Sequence, residues 1–122
     1  MSKKVYIIED NVKNMLLFEA ILGLIPNIEL HTETQGDKGL ELIKSGNPDI
    51  IILDINLPEI NGKDICIELR KMEKFKNIPI IAVTALAMKG DKEQILDAGF
   101  TKYVAKPINI DEFSEMVTKF LS

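Results

Sequence analysis

The sequence predicts a doubly wound α/β fold, in which five helices cover both faces of a five-stranded parallel sheet as a three-layer sandwich. The first observation is the apolar run Ile50-Ile51-Ile52-Leu53, which leads directly into Asp54. A β-branched run without polar alternation is typical of a strand buried on both faces, and such strands belong to parallel sheets. The second observation is that short apolar runs alternate with segments of helical periodicity along the chain, as in βαβ units.

Length and composition indicate one domain over residues 1–122, with 46% hydrophobic residues. The net charge is −4 and no lysine cluster offsets it, so nucleic-acid binding is not expected. The single Cys66 excludes an internal disulfide and a zinc–cysteine cluster. The first apolar run, residues 5–8, is too short for a signal peptide or a membrane helix. We therefore expect a cytoplasmic protein that does not enter a membrane.

The first half of the chain predicts two strands and two helices before the central strand. These elements are a strand at residues 5–8, a helix at 11–25, a more exposed strand at 28–34 and a helix at 36–44. The first helix has apolar residues at helical spacing, Asp10 or Asn11 as its N-cap, and Pro26 beyond its end. Leu40 and Ile43 give the second helix its buried side. The third strand, residues 50–54, then ends at Asp54.

The second half predicts three helices and two strands. In order they are a helix at residues 63–74, a strand at 80–83 that ends at Thr84, a polar helix at 88–98, a strand at 103–105 and a helix that begins at 109. Gly99 is expected to end the polar helix, whose apolar stripe is only Ile95 and Leu96. The last helix begins with an Asn109-x-x-Glu112 capping pattern and should bury Ile110, Phe113, Val117 and Phe120.

Four of the predicted strands end in chemically competent groups, which are Glu9-Asp10, Asp54, Thr84 and Lys106. The ends of parallel strands share one edge, where ligands bind in open α/β sheets. Three carboxylates at one place repel one another unless a cation neutralises them, and hard oxygen ligands suit Mg²⁺. A lysine and a hydroxyl opposite the acids suit an anionic substrate group. Together these groups predict phosphoryl transfer onto Asp54 as nucleophile.

Each of these groups also has a purely structural interpretation. Asp10 alone is more simply explained as a helix cap, Thr84 as a turn residue and Lys106 as a solvated strand end. Asp54 is hardest to explain in that way, because an unpaired acid after a buried apolar run is costly. The joint placement of all the groups at strand ends favours the functional interpretation.

The motifs resemble those of the response-regulator receiver domains of two-component signalling, over the full length of the chain. The motifs that carry the resemblance are Ile7-Ile8-Glu9-Asp10-Asn11, Leu53-Asp54-Ile55-Asn56-Leu57-Pro58-Glu59-Ile60-Asn61-Gly62, Val83-Thr84-Ala85 and Ala105-Lys106-Pro107. The resemblance is greatest to receivers of hybrid kinases and of single-domain chemotaxis and cell-cycle regulators. It implies a flavodoxin-like sandwich with the strand order 2-1-3-4-5, which the residues alone leave open.

The resemblance also implies a chemistry for each residue of the site. Asp54 would be the phosphorylated residue and would accept the group from a histidine of a kinase or of a phosphotransfer protein. Mg²⁺ would be bound by Glu9 through water, by Asp10 and Asp54, and by the backbone carbonyl of Asn56. Thr84 and Lys106 would contact the phosphoryl group. The chain would then be a phosphoacceptor with intrinsic Mg²⁺-dependent self-phosphorylation and dephosphorylation, and not an enzyme in the usual sense.

The resemblance further implies a switch and an output surface. Tyr103 would change its rotamer when phosphorylation draws the Thr84 hydroxyl toward Asp54, and the Lys106–Pro107 bond would be cis. The helix expected to begin at Met88 and end at Ala98 would form, with Tyr103 and the last helix, the face that binds a downstream protein. We expect a monomer or weak dimer that is free-standing, with a receiver excised from a hybrid kinase as the alternative.

Two other classes of protein fit the sequence less well. A phosphatase of the haloacid dehalogenase type needs a second acid two residues after its nucleophile, and Asn56 stands there instead. A flavin-binding module needs a Ser/Thr/Gly-rich phosphate loop after the first strand, where Glu9 and Asp10 would repel the phosphate.

Overall fold

Five parallel strands form a single sheet in the order β2-β1-β3-β4-β5, as predicted. This computed structural model describes residues 2–85 and 89–122, with the backbone alone at 89–91. The strands are β1 (Lys3–Ile8), β2 (Ile28–Glu33), β3 (Ile50–Asp54), β4 (Ile80–Thr84) and β5 (Lys102–Ala105). The helices are α1 (Val12–Leu22), α2 (Gly36–Ser45), α3 (Gly62–Arg70), α4 (Lys89–Asp97) and α5 (Ile110–Leu121). None of the helices within the described ranges has the length and apolar character that a membrane crossing requires.

The apolar core lies in two layers, one on each face of the sheet. All five residues of β3 are buried, because β1 and β4 flank this strand and helices cover both of its faces. On one face the cluster includes Phe18 of α1 and Phe113 of α5, whose ring centroids lie 5.1 Å apart. On the other face Ile65 and Leu69 of α3 pack in a second cluster. The central strand is therefore held rigidly, and so is the position of Asp54 at its end.

Helix α1 ends at Leu22 instead of continuing to residue 25, so the predicted boundary is wrong by three residues. The chain tightens after Leu22, since the amide of Leu24 bonds to Ile21 O and that of Ile25 to Leu22 O, an i→i+3 pattern. At the other end Asn11 is the N-cap, because its side chain accepts a hydrogen bond from the amide of Asn14 at 3.0 Å. Of the two caps considered, Asp10 is therefore not the one used.

Helix α3 begins at Gly62 and ends at Arg70, whereas the sequence predicts a helix over 63–74. The amide of Lys71 bonds to Glu68 O and that of Met72 to Leu69 O, so the last turn is again tightened. A short 3₁₀ turn at Glu73–Phe75 follows. Phe75 is fully buried, and burial of its ring draws the chain inward and ends the helical path.

The last two helices differ from prediction in which apolar residues they bury. In α4, Ile95 is buried but Leu96 is 51% exposed, so only half of the predicted stripe faces the core. In α5, Phe113 and Val117 are buried as predicted, but Ile110 is 52% exposed. Ile110 is the first residue of α5, and the first buried residue of the helix is Phe113.

Four further predictions concern these two helices. Phe120 is only partly buried, and Met116 is buried in its place. Gly99 has a φ of 106°, a left-handed conformation that only glycine adopts without strain, which agrees with its predicted role after α4. Asn109 caps α5 as predicted and accepts from the amide of Glu112 at 3.0 Å. The predicted start of the fourth helix at Met88 lies outside the described residues.

Candidate phosphoacceptor and metal site

The predicted site residues of four strands meet at one edge of the sheet. Glu9 follows β1, Asp54 ends β3, Thr84 ends β4 and Lys106 follows β5, and these four strands are consecutive neighbours. The registers keep the ends level, since Ile8 pairs with Leu53 and Thr84 pairs with Ala105. Residues far apart in sequence are thereby brought together by the parallel topology.

The side chains of Glu9, Asp10 and Asp54 form a compact cluster of carboxylates. Oxygen atoms from the three groups all lie within 4.8 Å of one another. Glu9 has no exposed surface and Asp54 is 2% exposed, whereas Asp10 is half-buried. Asp10 does not cap α1, so its place in this cluster is not explained by a structural role in that helix.

Lys106 is the cation that faces these acids. Its Nζ lies 3.1 Å from Glu9 Oε1 and 3.3 Å from Asp54 Oδ2. Burial by itself lowers the pKa of Lys106, but the contacts with the Glu9 and Asp54 carboxylates outweigh that effect, and the pKa is raised. The lysine is therefore charged at neutral pH, and it bridges two buried acids in the metal-free site.

Glu9 is the most perturbed acid of the site. Its pKa is raised to about 7, chiefly by burial and then by a hydrogen bond with Asp54, against the lowering effect of the Asn11 amide. That amide donates to Glu9 Oε2 at 3.1 Å. The other oxygen, Oε1, has no hydrogen bond among the described residues, although the Lys106 ammonium is near it. A buried oxygen in this state is a ready ligand for a cation.

The loop after β3 holds Asp54 from the other side. The backbone amide of Asn56 donates to Asp54 Oδ1 at 3.0 Å, and the amide of Gly62 donates to Ile55 O at 2.9 Å. A β-carbon on Gly62 would lie 2.4 Å from the backbone oxygen of Asp54, so the close approach requires glycine. Asn56 is exposed, which leaves it at the open side of the cluster.

Thr84 and Tyr103 are positioned on neighbouring strands. Thr84 is 2% exposed, and its carbonyl oxygen accepts from the Lys106 amide at 2.8 Å. Tyr103 lies two residues before Ala105, the register partner of Thr84, and is half-buried. The Nζ of Lys92 stands 5.2 Å from the centre of the Tyr103 ring. The Lys106–Pro107 peptide bond is cis, as the resemblance implies.

Asn11 has a supporting role in the site that was not predicted from the sequence. Its side chain caps α1 while its amide binds Glu9 Oε2, so a single residue fixes both the helix start and an acid of the site. The sequence does carry a signal for this role. Asn11 is an N-cap candidate that directly follows the acidic pair, so its backbone amide lies beside those acids.

The donor set fits a hard divalent cation. Three carboxylates, two of them buried, provide the oxygen ligands that Mg²⁺ prefers, and Glu9 Oε1 has only the Lys106 ammonium near it among the described residues. The same edge holds Lys106 for an anionic group. The fold and this arrangement define a doubly wound α/β domain with an acidic site and a facing lysine at the carboxyl edge of its sheet.

Comparison with known proteins agrees with this class. The family model of the response regulator receiver domain matches residues 5–118, and the chain belongs to that family. In Brucella ovis, the polar-differentiation response regulator DivK is 40% identical over 121 residues, which are 99% of this chain and 98% of the relative. The chain is thus a response regulator receiver domain that is similar over nearly its whole length to DivK, and the general function of the family is a phosphorylation-controlled switch.

Solved structures show the same fold. The receiver domain of sensor histidine kinase PA1611 from Pseudomonas aeruginosa, which has a magnesium ion coordinated in its active-site cleft, is 29% identical with a TM-score of 0.89. The match covers 99% of this chain and 98% of that one. The chemotaxis response regulator CheY4 of Vibrio cholerae has a TM-score of 0.90 at 22% identity, over 98% of this chain and 99% of that one.

Proposed function

We propose that this receiver accepts a phosphoryl group on Asp54 from a histidine of a kinase or phosphotransfer protein, in a Mg²⁺-dependent reaction. The observation that carries the proposal is the position of Asp54, which ends the buried strand β3 within 3.3 Å of Lys106 and inside the cluster with Glu9 and Asp10. A nucleophile on a rigid strand, with a cation beside it, needs little reorganisation to reach an incoming phosphoryl group.

In the transfer, an oxygen of the Asp54 carboxylate attacks phosphorus and forms the P–O bond of an acyl phosphate. The P–N bond to the donor imidazole breaks, and its electron pair stays on the ring nitrogen, where it takes a proton. Lys106 exchanges its contact with Asp54 Oδ2 for a contact with a phosphoryl oxygen. The hydroxyl of Thr84 donates to a second phosphoryl oxygen, and the Asn56 amide keeps Asp54 oriented.

A bound magnesium ion would neutralise negative charge on Asp54 and on the phosphoryl group. Glu9, Asp10 and Asp54 are the residues that would hold it, together with the carbonyl of Asn56. Support comes from the buried oxygen Oε1 of Glu9, which faces the Lys106 ammonium at 3.1 Å and has no further polar partner among the described residues, so it can also accept a metal ion.

In this proposal the chain is a phosphoacceptor and not an enzyme that turns over an external substrate, because Asp54 itself carries the product. The competing phosphatase hypothesis requires an acid two residues after the nucleophile. Asn56 occupies that position and contributes a backbone amide to Asp54. No acid therefore stands there to protonate a leaving group, which favours the phosphoacceptor.

The proposed output is a contact with a downstream protein through α4, β5 and α5. Phosphorylation would draw the Thr84 hydroxyl toward Asp54, and Tyr103 would move into the space that it leaves. The half-buried position of Tyr103 beside Lys92 of α4 supports this coupling, because a change of its rotamer alters the surface between α4 and β5.

The test is the intact mass of the protein after incubation with acetyl phosphate, with Mg²⁺ or with EDTA. We expect the wild type to gain one phosphoryl group only with Mg²⁺, and Asp54→Asn to gain none. Asp64→Asn, an exposed acid in the first turn of α3, is the matched control and should behave as the wild type does. Equal phosphorylation of Asp54→Asn and the wild type would contradict the proposal, as would the absence of any gain in the wild type.

A further inference from the structure

Gly36, the first residue of α2, is buried against the loop that follows Asp54. A β-carbon at this position would lie 2.2 Å from Ile60 Cγ2 and 3.3 Å from Leu57 Cδ1. The φ of Gly36 is not in the left-handed range, so the position requires glycine for space and not for backbone conformation. The space beside Gly36, called here the seat at Gly36, is thus filled by the side chains of Ile60 and Leu57 from the loop.

These two side chains are the apolar anchors of the loop from residue 55 to 61. Leu57 is 8% exposed and Ile60 is partly buried, and both pack against the core cluster beneath α2 and α3. The same loop carries Asn56, whose amide donates to Asp54 Oδ1. The loop is therefore held at its end by Gly62 and in its middle by the seat at Gly36.

Several hydrogen bonds hold the chain in place at the start of α2. The Glu33 carboxylate accepts hydrogen bonds from the amides of Thr34 and Gln35 at 2.8 and 3.0 Å, and Gln35 O accepts from the amide of Gly39. Glu33 O also accepts from the amide of Glu9, an acid of the site. A group added at Gly36 would therefore displace Ile60, whose β-branched side chain has little rotamer freedom, and with it the loop.

We propose that Gly36 is a positioning residue for the phosphoacceptor site. By admitting Ile60 and Leu57, it fixes the loop that places Asn56 against Asp54 and at the metal cluster. This inference rests on the proposed function, because it assigns Gly36 a role in metal binding and in the geometry of Asp54. It also explains why α2 begins with a buried glycine.

Gly46, at the opposite end of α2, supplies a matched control. A β-carbon there would lie 2.1 Å from the hydroxyl oxygen of Tyr6, which is crowding of the same severity. Gly46 follows α2 and precedes the start of β3, so it lies at the sheet edge away from Asp54. Substitution at either end of α2 disturbs packing to a similar extent, but only Gly36 contacts the loop.

The experiment compares Gly36→Ala with Gly46→Ala by NMR, using Mg²⁺ alone as the probe. We expect Gly36→Ala to shift the Asn56 amide resonance in the metal-free protein and to weaken Mg²⁺ binding about tenfold. Gly46→Ala should keep the wild-type affinity for Mg²⁺, even if it unfolds as readily as Gly36→Ala does. The effects of Gly36→Ala and Ile60→Ala on Mg²⁺ affinity should be less than additive when the two are combined, because removing Ile60 Cγ2 makes room for the new methyl group.

Ile60→Ala alone provides a test that does not depend on the folding of Gly36→Ala. This variant removes the side chain that packs beside Gly36 and adds no atoms there. The loop is then held less tightly, so the amide of Asn56 should exchange with solvent faster than in the wild type. Wild-type Mg²⁺ affinity in Gly36→Ala, equal weakening in Gly46→Ala, or unchanged exchange in Ile60→Ala would each overturn the inference. If the wild type itself bound no Mg²⁺ and gained no phosphoryl group, the proposed function would fail as well, which distinguishes the two failures.

Discussion

Glu9 shows how the surroundings of one residue set its chemistry. Its carboxyl group has no exposed surface, and it shares Lys106 with Asp54. Because burial raises its pKa to about 7, the metal-free site holds Glu9 partly protonated at neutral pH. Proton and metal ion then compete for one carboxylate, so both folding and metal binding depend on pH.

We predict that the metal-free protein becomes more stable as the pH falls from 8 to 5. The pKa of Glu9 rises from 4.5 in the unfolded chain to about 7 in the folded one. Its contribution is therefore complete below pH 4.5 and is lost as the pH rises through 7. This difference corresponds to about 3 kcal/mol in the free energy of unfolding. Urea unfolding in EDTA at several pH values measures it.

Glu9→Gln should remove most of this pH dependence, because the amide does not titrate. Glu19→Gln, at an exposed position of α1, is the control and should leave the dependence as it is in the wild type. The assignment to Glu9 would be wrong if Glu9→Gln retained the wild-type slope between pH 5 and 8.

Arg70, the last residue of α3, ties three segments of the chain together. Its Nε donates to Gly99 O at 2.8 Å, its Nη1 donates to Phe75 O and Ile78 O at 2.7 Å each, and its Nη2 donates to Thr101 Oγ1 at 3.2 Å. The planar guanidinium satisfies carbonyl groups that neither helix nor sheet bonds reach. The end of α4 is thereby fixed to the end of α3.

We predict that Arg70→Met lowers the free energy of unfolding by about 3 kcal/mol, because several carbonyl groups lose their donors at once. Arg70→Lys should recover only a small part of the loss, since one ammonium cannot reproduce the fork of the guanidinium. The neighbouring exposed Lys71→Met is the control and should be close to neutral. Urea unfolding measures these free energies. Equal stability of Arg70→Lys and the wild type would contradict the prediction.

The elements show which physical signals a sequence carries. The bounds of β3 were predictable to the residue, because the strand is an unbroken apolar run between polar ends. The ends of α1 and α3 were not, since both end in i→i+3 bonds that depend on how the following chain packs. The exposure of Leu96 and Ile110 was not predicted for a related reason, because helical periodicity does not show which apolar side chains the rest of the chain covers.

The candidate site also has features that the sequence predicts and features that it does not. Its acids and its lysine stand at strand ends, so topology alone predicts that they meet. The contact of buried Glu9 with Lys106 and the packing of Ile60 against Gly36 depend on how distant segments come together, and no local pattern encodes them. Sequence therefore predicts the reacting groups of the site better than the residues that position them.

For the molecule as a whole, helices α4 and α5, which lie on opposite faces of the sheet, differ in how much apolar surface they bury. Helix α5 buries Phe113, Met116 and Val117, whereas Ile95 is the only buried residue among the side chains described in α4. A helix with so little buried apolar surface is the element that can shift at low cost. The response to phosphorylation should therefore concentrate on the side of α4 and β5.

We predict that the amides of residues 92–97 exchange with solvent faster than those of α5 in the resting protein. Addition of beryllofluoride with Mg²⁺ should change exchange in residues 92–97 and in β5, and leave α1 nearly unaffected. Hydrogen exchange read by mass spectrometry or NMR measures both effects. A uniform change over all helices, or no change in α4, would contradict a switch that acts through this side of the molecule.

The central claim is that Asp54 carries the phosphoryl group, and borohydride reduction of the wild-type protein tests it without any substitution. Reduction converts an aspartyl phosphate into homoserine, which peptide mass spectrometry locates in the sequence. After incubation with acetyl phosphate and Mg²⁺, we expect homoserine at residue 54 and unmodified acids at residues 9 and 10. Homoserine at another acid, or none in a protein that had gained a phosphoryl group, would show that Asp54 is not the phosphoacceptor.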